Sequence, residues 1–229
     1  AEEEAHGGDD VAVLHQQHVV DALISTEDHR FWQHPGVDGW RSLSAVAHTI
    51  VGDRQGGSTI TQQYAKNAFL TQERSWDRKA KEALLAIKLE TVVSKDEILG
   101  NYLNTIYFGR GAYGIEAASI AYFGVPASEL TLEQGAVLAS IIKSPSGLAP
   151  ESGTGPLEAR WNYVLDGMVE QGWLTAKERK KLDFPKIKKQ KAKNRLGGQT
   201  GFLLTMVEQQ LADLGFDETE VQQGGLRIT

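Results

Sequence analysis

The chain has 229 residues, of which 41% are hydrophobic, so it can bury the core of one large domain or two smaller ones. Its formal charge of -6 at neutral pH argues against a nucleic-acid-binding protein, which usually presents a net basic face. Cysteine is absent, which excludes disulfide frameworks, thiolate metal sites and cysteine nucleophiles.

The N-terminal segment, residues 1–11, is acidic and polar, and we expect it to be flexible. It does not have the charge pattern of a signal peptide, and no stretch of the chain reaches the roughly eighteen apolar residues of a membrane-spanning helix. We therefore expect any membrane anchor of the natural protein to lie outside this sequence.

Acidic and aromatic residues are crowded together in the stretch ISTEDHRFWQHPG, residues 24–36. Glu27 and Asp28 stand close to Phe31 and Trp32, whereas a surface helix would separate charged and aromatic groups onto opposite faces. The stretch therefore indicates either a helix terminus or the wall of a cleft. The next stretch, WRSLSAVAHTIVG (40–52), has few charges and predicts either a surface that lies against lipid or a buried core helix.

Polar residues recur at helical spacing in GGSTITQQYAK, where one predicted face carries Ser58, Gln62, Gln63 and Lys66. The glycine pair before Ser58 is expected to leave backbone N–H groups free at the helix start, where the helix dipole favours an anion. A diphosphate could then be surrounded by four cations, Lys66, Arg74, Arg78 and Lys79. The alternative is an ordinary solvated helix face.

A further helix is predicted over residues 77–95, where Arg78 and Glu82 lie one turn apart on a shared face. Taken alone, this pair is equally explained as an exposed ion pair. Capping signals open three later helices, at Ser94 with Glu97, Thr131 with Gln134, and Thr175 with Glu178.

Two stretches predict the core. The first has apolar residues at the spacing of a buried helix face: Ile98, Leu99, Tyr102 and Leu103. The second forms an apolar stripe of Trp161, Val164, Leu165, Met168 and Val169. Gly172 is expected to end that second helix. Between them, RGAYG predicts a tight glycine turn. Strand patterns are scarce, so the fold class is mainly α.

The composition changes after Phe184. The basic stretch from Lys186 to Arg195 predicts a linker, which either touches anionic lipid headgroups or is a solvated charge run. A short amphipathic helix, FLLTMVEQQLADLG, follows, and the ending GGLRIT is typical of a first strand.

Five motifs in order give the chain its resemblance to a known family: EDHRFWQHPG, GGSTITQQYAKN, RKAKE, KDEILGNYLN and RGAYGIEAAS. The chain resembles the peptidoglycan glycosyltransferases, glycosyltransferase family 51, over residues 12–185. The resemblance implies a mainly α-helical fold, with a lysozyme-like large lobe and a smaller jaw lobe that faces the membrane. Residues 186–229 would then form the basic linker and the start of a connection to a transpeptidase domain that is absent from this sequence.

The resemblance also implies the reaction. The substrate would be lipid II, polymerised with the growing glycan strand into a β-1,4-linked product at the outer face of the bacterial cytoplasmic membrane, with release of undecaprenyl diphosphate. The motifs assign Glu27 as the catalytic base and Glu82 as a second essential glutamate, which orients the diphosphate or an associated divalent cation, Mg²⁺ or Mn²⁺. No tightly bound cofactor is implied. The donor side would comprise Ser58, Gln62, Gln63, Lys66, Arg74, Arg78 and Lys79.

Four further residues are auxiliary candidates: Asp28, His34, Arg41 and Arg110. His34 is otherwise a loop-holding residue, Asp28 is a helix-end partner or an auxiliary carboxylate, and Arg110 belongs to a motif that is mainly architectural. The chain departs from the family pattern at Ser44, where an arginine is common, and Arg41 is the candidate substitute.

Two other functions remain to be distinguished. A lysozyme-like hydrolase or lytic transglycosylase also needs carboxylates in a helical cleft, but has no use for cations around a diphosphate. A glycan-binding module without catalysis would tolerate the loss of Glu27. No serine-x-x-lysine motif followed by transpeptidase sequence occurs, so we expect glycan polymerisation without peptide crosslinking.

Overall fold

The computed structural model describes residues 17–39, 57–70 and 76–190, together with 206, 207, 209–211 and 214; for 76–78 it describes the backbone only. The helices in this part of the chain are α1 (Gln17–Glu27), α2 (Ile60–Phe69), α3 (Trp76–Val92), α4 (Lys95–Thr105), α5 (Ile115–Tyr122), α6 (Leu132–Ile142), α7 (Gly155–Glu170) and α8 (Ala176–Arg179). Short 3-10 helices span Phe31–Gln33, Ala127–Glu129 and Pro150–Ser152. The mainly α prediction is confirmed.

Extended structure in the described residues is limited to one antiparallel bridge between Tyr107 and Tyr113. The bridge closes the predicted RGAYG turn, in which Arg110 and Gly111 have φ values of 56° and 69°. A hydrogen bond of 2.9 Å from Phe108 N to Ala112 O joins its two sides.

Helix α6 is central to the core because every residue from Gly135 to Ile142 is buried. It packs against α1 and α7, and these two helices also pack against each other. Gly135 allows the close approach of α1, since a Cβ atom there would lie 2.8 Å from Val19 Cγ2. Trp161 of α7 is buried, and its indole N–H donates to the Glu133 carbonyl at 3.0 Å.

A second group of helices forms where α2 packs against α3 and α4. The predicted core residues of α4, Ile98, Leu99, Tyr102 and Leu103, are all buried. Full burial of a leucine or isoleucine side chain contributes about 1.5–3 kcal/mol, so this apolar face anchors α4 to the core. The stripe predicted on α7 is likewise buried, apart from Val169, which is partly buried.

A helix was predicted over residues 77–95, and the predicted position of its C-terminal end is wrong. Helix α3 ends at Val92, and a new helix begins at Lys95 because the Ser94 hydroxyl accepts a hydrogen bond from Glu97 N at 3.2 Å. The capping boxes predicted at Thr131 and Thr175 are both present. Gly172, with φ of 76°, follows the end of α7 as expected.

The chain divides into two compact units, Ala1–Lys188 and Lys189–Thr229. Within the first unit, the beginning of the predicted linker lies against the helices: Ile187 packs on the core and Lys188 N donates to Tyr122 O at 2.8 Å. Of the second unit, residues 206, 207 and 209–211 are helical. The predicted segment 1–11, the stretch 40–52 and the ending GGLRIT lie outside the described residues. The division into segment, transferase domain (12–185) and connection stays a prediction.

None of the helices in the described ranges combines the length and the hydrophobicity that crossing a membrane requires. The jaw lobe stays a prediction, because the stretch assigned to it is not described.

Gly36 connects the loop after α1 to α3. Its φ is 82°, and a Cβ atom at this position would lie 2.5 Å from the Ala86 carbonyl oxygen. We expect Gly36→Ala to lower the free energy of unfolding by about 3 kcal/mol, because left-handed strain adds to a backbone clash.

Gly172→Ala is the matched control, since Gly172 has φ of 76° but no atom within 4 Å of an added Cβ. It should cost only the left-handed strain, about 1–2 kcal/mol. Urea unfolding measures both variants, and equal losses would contradict the close packing of Gly36 on α3.

Candidate active site

Glu27 is the last residue of α1 and reaches the gap between α2 and α7. Its side chain is 13% exposed, and each carboxylate oxygen has a different partner. Gln63 Nε2 donates to Oε2 at 3.2 Å, and Arg160 Nη2 lies 3.5 Å from Oε1. The carboxylate is thus oriented by side chains from two helices.

Tyr102 determines how the Gln63 amide is turned. The Tyr102 hydroxyl donates to Gln63 Oε1 at 2.9 Å, so the amide nitrogen of Gln63 faces Glu27. Burial of Tyr102, reinforced by the negative charge of Glu27, raises the pKa of its hydroxyl well above 10. The hydroxyl therefore stays a donor at neutral pH, and the hydrogen bonds run from Tyr102 through Gln63 to Glu27.

A cavity of about 160 Å³ opens beside this network and is lined by Ser58, Gln62, Gln63, Lys66, Lys79 and Glu82. Lys79 Nζ lies 2.7 Å from Ser58 Oγ and 2.6 Å from Glu82 Oε2. Glu82 is buried, with 2% exposed surface, whereas Lys66 is exposed. The six predicted donor-side and second-glutamate residues whose side chains are described therefore all line this cavity, because Ser58 precedes α2 and α3 packs beside α2.

Two of the backbone N–H groups at the start of α2, which we expected to be free, are already bound within the protein. Asp28 Oδ2 accepts from Ile60 N at 3.0 Å, and the Thr59 hydroxyl accepts from Gln62 N at 3.1 Å. Gln62 Oε1 in return accepts from Thr59 N at 2.9 Å, which completes a capping box. These bonds favour the side-chain cations Lys66 and Lys79 over the helix terminus as partners for an anion in the cavity.

Asp28 and His34 form a buried structural pair. Asp28 is completely buried, and His34 Nε2 lies 3.0 Å from both of its carboxylate oxygens. Because Asp28 also binds Ile60 N, it joins the end of α1 to the start of α2. These contacts favour the helix-end interpretation of Asp28 and the loop-holding interpretation of His34.

The aromatic neighbours of Glu27 have different environments. Phe31 is completely buried, and its ring lies 4.4 Å from Lys95 Nζ, so it belongs to the core rather than to a cleft wall. Trp32 is 47% exposed. Of the two alternatives for residues 24–36, the helix terminus is confirmed, because α1 ends at Glu27. Glu27 is also the candidate base of the site.

Arg110 binds groups outside the cavity. Its guanidinium pairs with Glu151, donates to Ala121 O at 2.8 Å and stacks 4.2 Å from the Tyr122 ring centre. These contacts stabilise the RGAYG turn. Arg41, Ser44 and Arg74 lie outside the described residues, and Arg78 is described only by its backbone in α3.

Within the described residues, no group of three or more histidine or acidic side chains is placed to hold a metal ion. Glu82 is engaged by Lys79. Mg²⁺ or Mn²⁺ as a companion of the diphosphate stays a prediction.

Two site residues were not assigned to the site from the sequence. Tyr102 has core spacing in α4, and its polar end gives no sign of contacting Gln63. Arg160 precedes the buried Trp161 and has no sequence signal that links it to Glu27. Only the packing of α7 against α1 brings Arg160 to the carboxylate.

Removing the Tyr102 hydroxyl tests the hydrogen-bond network. We expect Tyr102→Phe to cost about 1–3 kcal/mol at pH 7, because Gln63 Oε1 loses its donor. The pKa of Tyr102 is raised on folding, so above pH 10 the native state holds more protons than the unfolded state and stability falls as pH rises.

The Tyr102→Phe variant has no ionisable hydroxyl at this position. Its free energy of unfolding should therefore fall less than that of the unmodified chain between about pH 9 and pH 11. Tyr122, whose pKa burial raises to about 12, is present in both proteins and cancels. Tyr163→Phe, at an exposed tyrosine, is the control. Equal pH dependence in Tyr102→Phe and the unmodified chain would contradict this account.

Comparisons with known proteins identify the family of this chain. The family model described as Transglycosylase matches residues 12–169. Penicillin-binding protein 1A of Mycobacterium tuberculosis is 43% identical over 221 residues, which are 93% of this chain and 27% of that protein. Penicillin-binding protein 1A of Aquifex aeolicus is 47% identical over 167 residues, 71% of this chain and 23% of that protein.

The crystal structure of penicillin-binding protein 1A from Haemophilus influenzae is 27% identical, with a TM-score of 0.43, and the match covers 68% of this chain and 20% of that chain. So low a TM-score adds nothing to the assignment. The chain spans about a quarter of the length of the curated relatives that it matches. The sequence match over residues 12–169 shows that the chain belongs to the transglycosylase family, and the predicted peptidoglycan glycosyltransferase domain is confirmed.

Proposed function

We propose that the chain polymerises lipid II into β-1,4-linked glycan strands by an inverting mechanism in which Glu27 is the general base. The observation that carries this proposal is the position of Gln63. Its side chain lines the cation-bearing cavity and also donates to the Glu27 carboxylate. The proposed base, Glu27, and the cavity that contains Lys66 and Lys79 therefore lie on different sides of the Gln63 side chain.

The reaction needs this two-sided arrangement. The acceptor's 4-hydroxyl gives its proton to Glu27 as its oxygen forms a bond to the anomeric carbon of the growing strand. The bond from that carbon to the diphosphate oxygen breaks on the opposite face, and the electron pair leaves with undecaprenyl diphosphate. The base and the stabilising cations must accordingly face the anomeric carbon from opposite directions.

Lys79 is the best-placed cation for the leaving diphosphate. Its ammonium contacts Ser58 and Glu82 within the cavity, so its position is fixed before the substrate arrives. Preorganised charge of this kind stabilises a developing anion without the cost of reorganisation. Lys66 lines the same cavity. We propose that Arg74, which precedes α3 in the sequence, and Arg78, in its first turn, also bind the diphosphate.

Glu82 acts in this proposal by orienting Lys79 and, through it, the diphosphate. The carboxylate is buried and 2.6 Å from Lys79 Nζ, which is a charge-assisted hydrogen bond. A carboxylate so engaged is poorly suited to take a proton from a sugar. Mg²⁺ or Mn²⁺ would be bound together with the diphosphate.

The cationic cavity disfavours the hydrolase alternative, because water attack on a glycan releases no diphosphate and gains nothing from Lys66 and Lys79. A binding module without catalysis would not need Glu27 held at both oxygens. Lipid II carries a long polyprenyl chain, so we place the reaction at the outer face of the cytoplasmic membrane. The match covers only 27% of the Mycobacterium tuberculosis relative, so the relative has room for further domains. We propose that in a full-length protein the chain continues into a transpeptidase domain.

Replacing the base by its amide tests the proposal directly. We expect Glu27→Gln to lower kcat for polymerisation of labelled lipid II in detergent by about 100- to 10,000-fold, because the amide cannot accept the proton. Products are resolved by length. Glu170→Gln, at an exposed position on α7, should polymerise normally.

Long strands from the Glu27→Gln variant, or cleavage of preformed glycan by the unmodified chain, would contradict the proposal. An unmodified chain that binds lipid II and forms no strand would instead favour the binding module.

Removing the cation tests the donor side. Lys79→Met should lower kcat by about 100-fold, because charge on the leaving diphosphate loses a fixed partner. Lys88→Met is the matched control, since Lys88 is exposed on the same helix and does not line the cavity. Thermal unfolding of both variants shows whether loss of the ion pair between Lys79 and Glu82 also lowers stability. A normal rate in a folded Lys79→Met protein would rule out this role.

A further inference from the structure

A run of exposed lysines follows α7. Residues 177–188, which we call the lysine segment, contain six cationic and two acidic side chains, although the whole chain has a formal charge of -6. All five lysines of the segment are exposed: Lys177, Lys180, Lys181, Lys186 and Lys188. In the described part of the chain, none of these lysines forms an ion pair with a carboxylate. The segment therefore presents concentrated positive charge on an acidic protein.

The lysine segment is fixed to the helices. Phe184 and Ile187 pack on the core, and the Phe184 ring centre lies 5.6 Å from that of Trp161 in α7. Lys188 N donates to Tyr122 O at 2.8 Å. Because the backbone is already held, an anion that binds here orders only the lysine side chains, which costs less conformational entropy than ordering a free tail.

The distribution of side chains in the lysine segment limits the kind of partner. A surface that enters a lipid bilayer combines cations with exposed apolar side chains. In residues 177–188, every exposed residue is charged, and Leu182, Phe184 and Ile187 pack against the core. The segment therefore suits a hydrated anion, such as a carboxylate, better than a membrane interior.

The lysine segment is also close to the proposed base. Arg160 and Trp161 are successive residues of α7; Arg160 lies 3.5 Å from Glu27, while Trp161 contacts Phe184 and lies 5.4 Å from the Arg179 guanidinium. The base and the segment thus lie on different sides of one helix, which is about 10–12 Å across with its side chains. An extended peptide of five residues spans up to about 17 Å, enough to pass from one side to the other.

We propose that the lysine segment binds the stem peptide of lipid II through the C-terminal carboxylate of that peptide. The proposal rests on the proposed function, which places the acceptor hydroxyl of lipid II at Glu27. Lipid II carries a pentapeptide on the neighbouring muramyl sugar, so the peptide reaches the lysines across α7. Hydrogen bonds from ammonium groups to a carboxylate are charge-assisted. The alternatives are a solvated charge run and a surface for anionic lipid headgroups.

Amidation of the substrate tests the contact. Lipid II with a C-terminal carboxamide keeps its sugars, lipid and diphosphate and loses only the charge of the peptide end. For the unmodified chain, we expect the amidated substrate to have a KM about 3- to 10-fold higher, because exposed ion pairs each contribute modestly to binding. The value of kcat should change less than about two-fold, since the contact is remote from the reacting atoms.

Substitution of the lysines tests the same contact from the protein side. A variant with Gln at Lys180, Lys181, Lys186 and Lys188 should have a raised KM for ordinary lipid II and equal KM values for the two substrates. The control replaces Lys88 and Lys143, which are exposed elsewhere on the protein, and should keep the difference between the substrates. Equal KM values for both substrates in the unmodified chain, or a difference that persists in the four-lysine variant, would overturn the proposal.

A binding measurement is independent of turnover. The probe is the water-soluble disaccharide pentapeptide without lipid or diphosphate, titrated while the backbone amide signals of residues 186–188 are observed by NMR. These signals should shift with the free carboxylate and not with the carboxamide. An unmodified chain without polymerase activity would defeat the proposed function, while this titration would still decide the inference. Absent shifts would overturn it, as would identical shifts with both probes.

Sedimentation with vesicles distinguishes the membrane alternative. We expect vesicles of phosphatidylcholine and phosphatidylglycerol to bind the unmodified chain and the four-lysine variant equally. Binding that is lost in the variant, together with no effect of amidation on KM, would assign the lysine segment to lipid headgroups and contradict the proposal.

Discussion

The buried carboxylate of Asp28 is the contact on which the geometry of the site depends. A fully buried charge is tolerated only when its oxygens are satisfied, and those of Asp28 bind His34 and the first backbone N–H of α2. These bonds connect the end of α1, where Glu27 stands, to the start of α2, where Gln63 stands. Asp28 thereby provides a direct link between the helix of the base and the helix of its amide partner.

The same connection extends to α3. Thr59, the N-cap of α2, donates from its hydroxyl to the Gly36 carbonyl at 2.6 Å, and Gly36 in turn lies against Ala86 of α3. Because Lys79 and Glu82 are on α3, the positions of the base and of the cavity cation follow from one set of buried loop contacts. The polar groups of the site are therefore placed before a substrate binds, which is the condition for electrostatic catalysis.

Gln63 divides the site into two sides with separate tasks. Toward the cavity it lies among lysines and a hydroxyl suited to a diphosphate, and toward α7 it contacts the base. Tyr102 holds the amide in this orientation from the core. A neutral side chain thus contacts the anionic base on one side and lines the cavity that contains Lys79 on the other.

Local signals in the sequence predicted the local features of the structure. The spacing of Ile98 and Leu103 predicted a buried face, and Thr131 and Thr175 predicted helix starts, because each of these signals acts within one turn of helix. The motifs predicted which polar residues would line the cavity. The capping signal at Ser94 likewise predicted the start of α4, and a new helix that begins there is incompatible with one helix from residue 77 to residue 95.

Long-range contacts account for what the sequence did not predict. The glycines before Ser58 suggested free N–H groups at the start of α2, but a carboxylate from the end of α1 already binds there. Arg160 and Tyr102 reach the site only because α7 packs on α1 and α4 packs on α2. The residue pattern of one helix does not predict which other helix packs against it.

The most direct test of the account is a crystal structure of the chain with a lipid II analogue that cannot react. The account predicts diphosphate oxygens within hydrogen-bond distance of Lys79 and Ser58, and the acceptor hydroxyl about 3 Å from the Glu27 carboxylate on the other side of Gln63. A diphosphate bound beside Glu27 and Arg160, with the cavity of Lys79 left to solvent, would contradict the division of the site into a base side and a cation side.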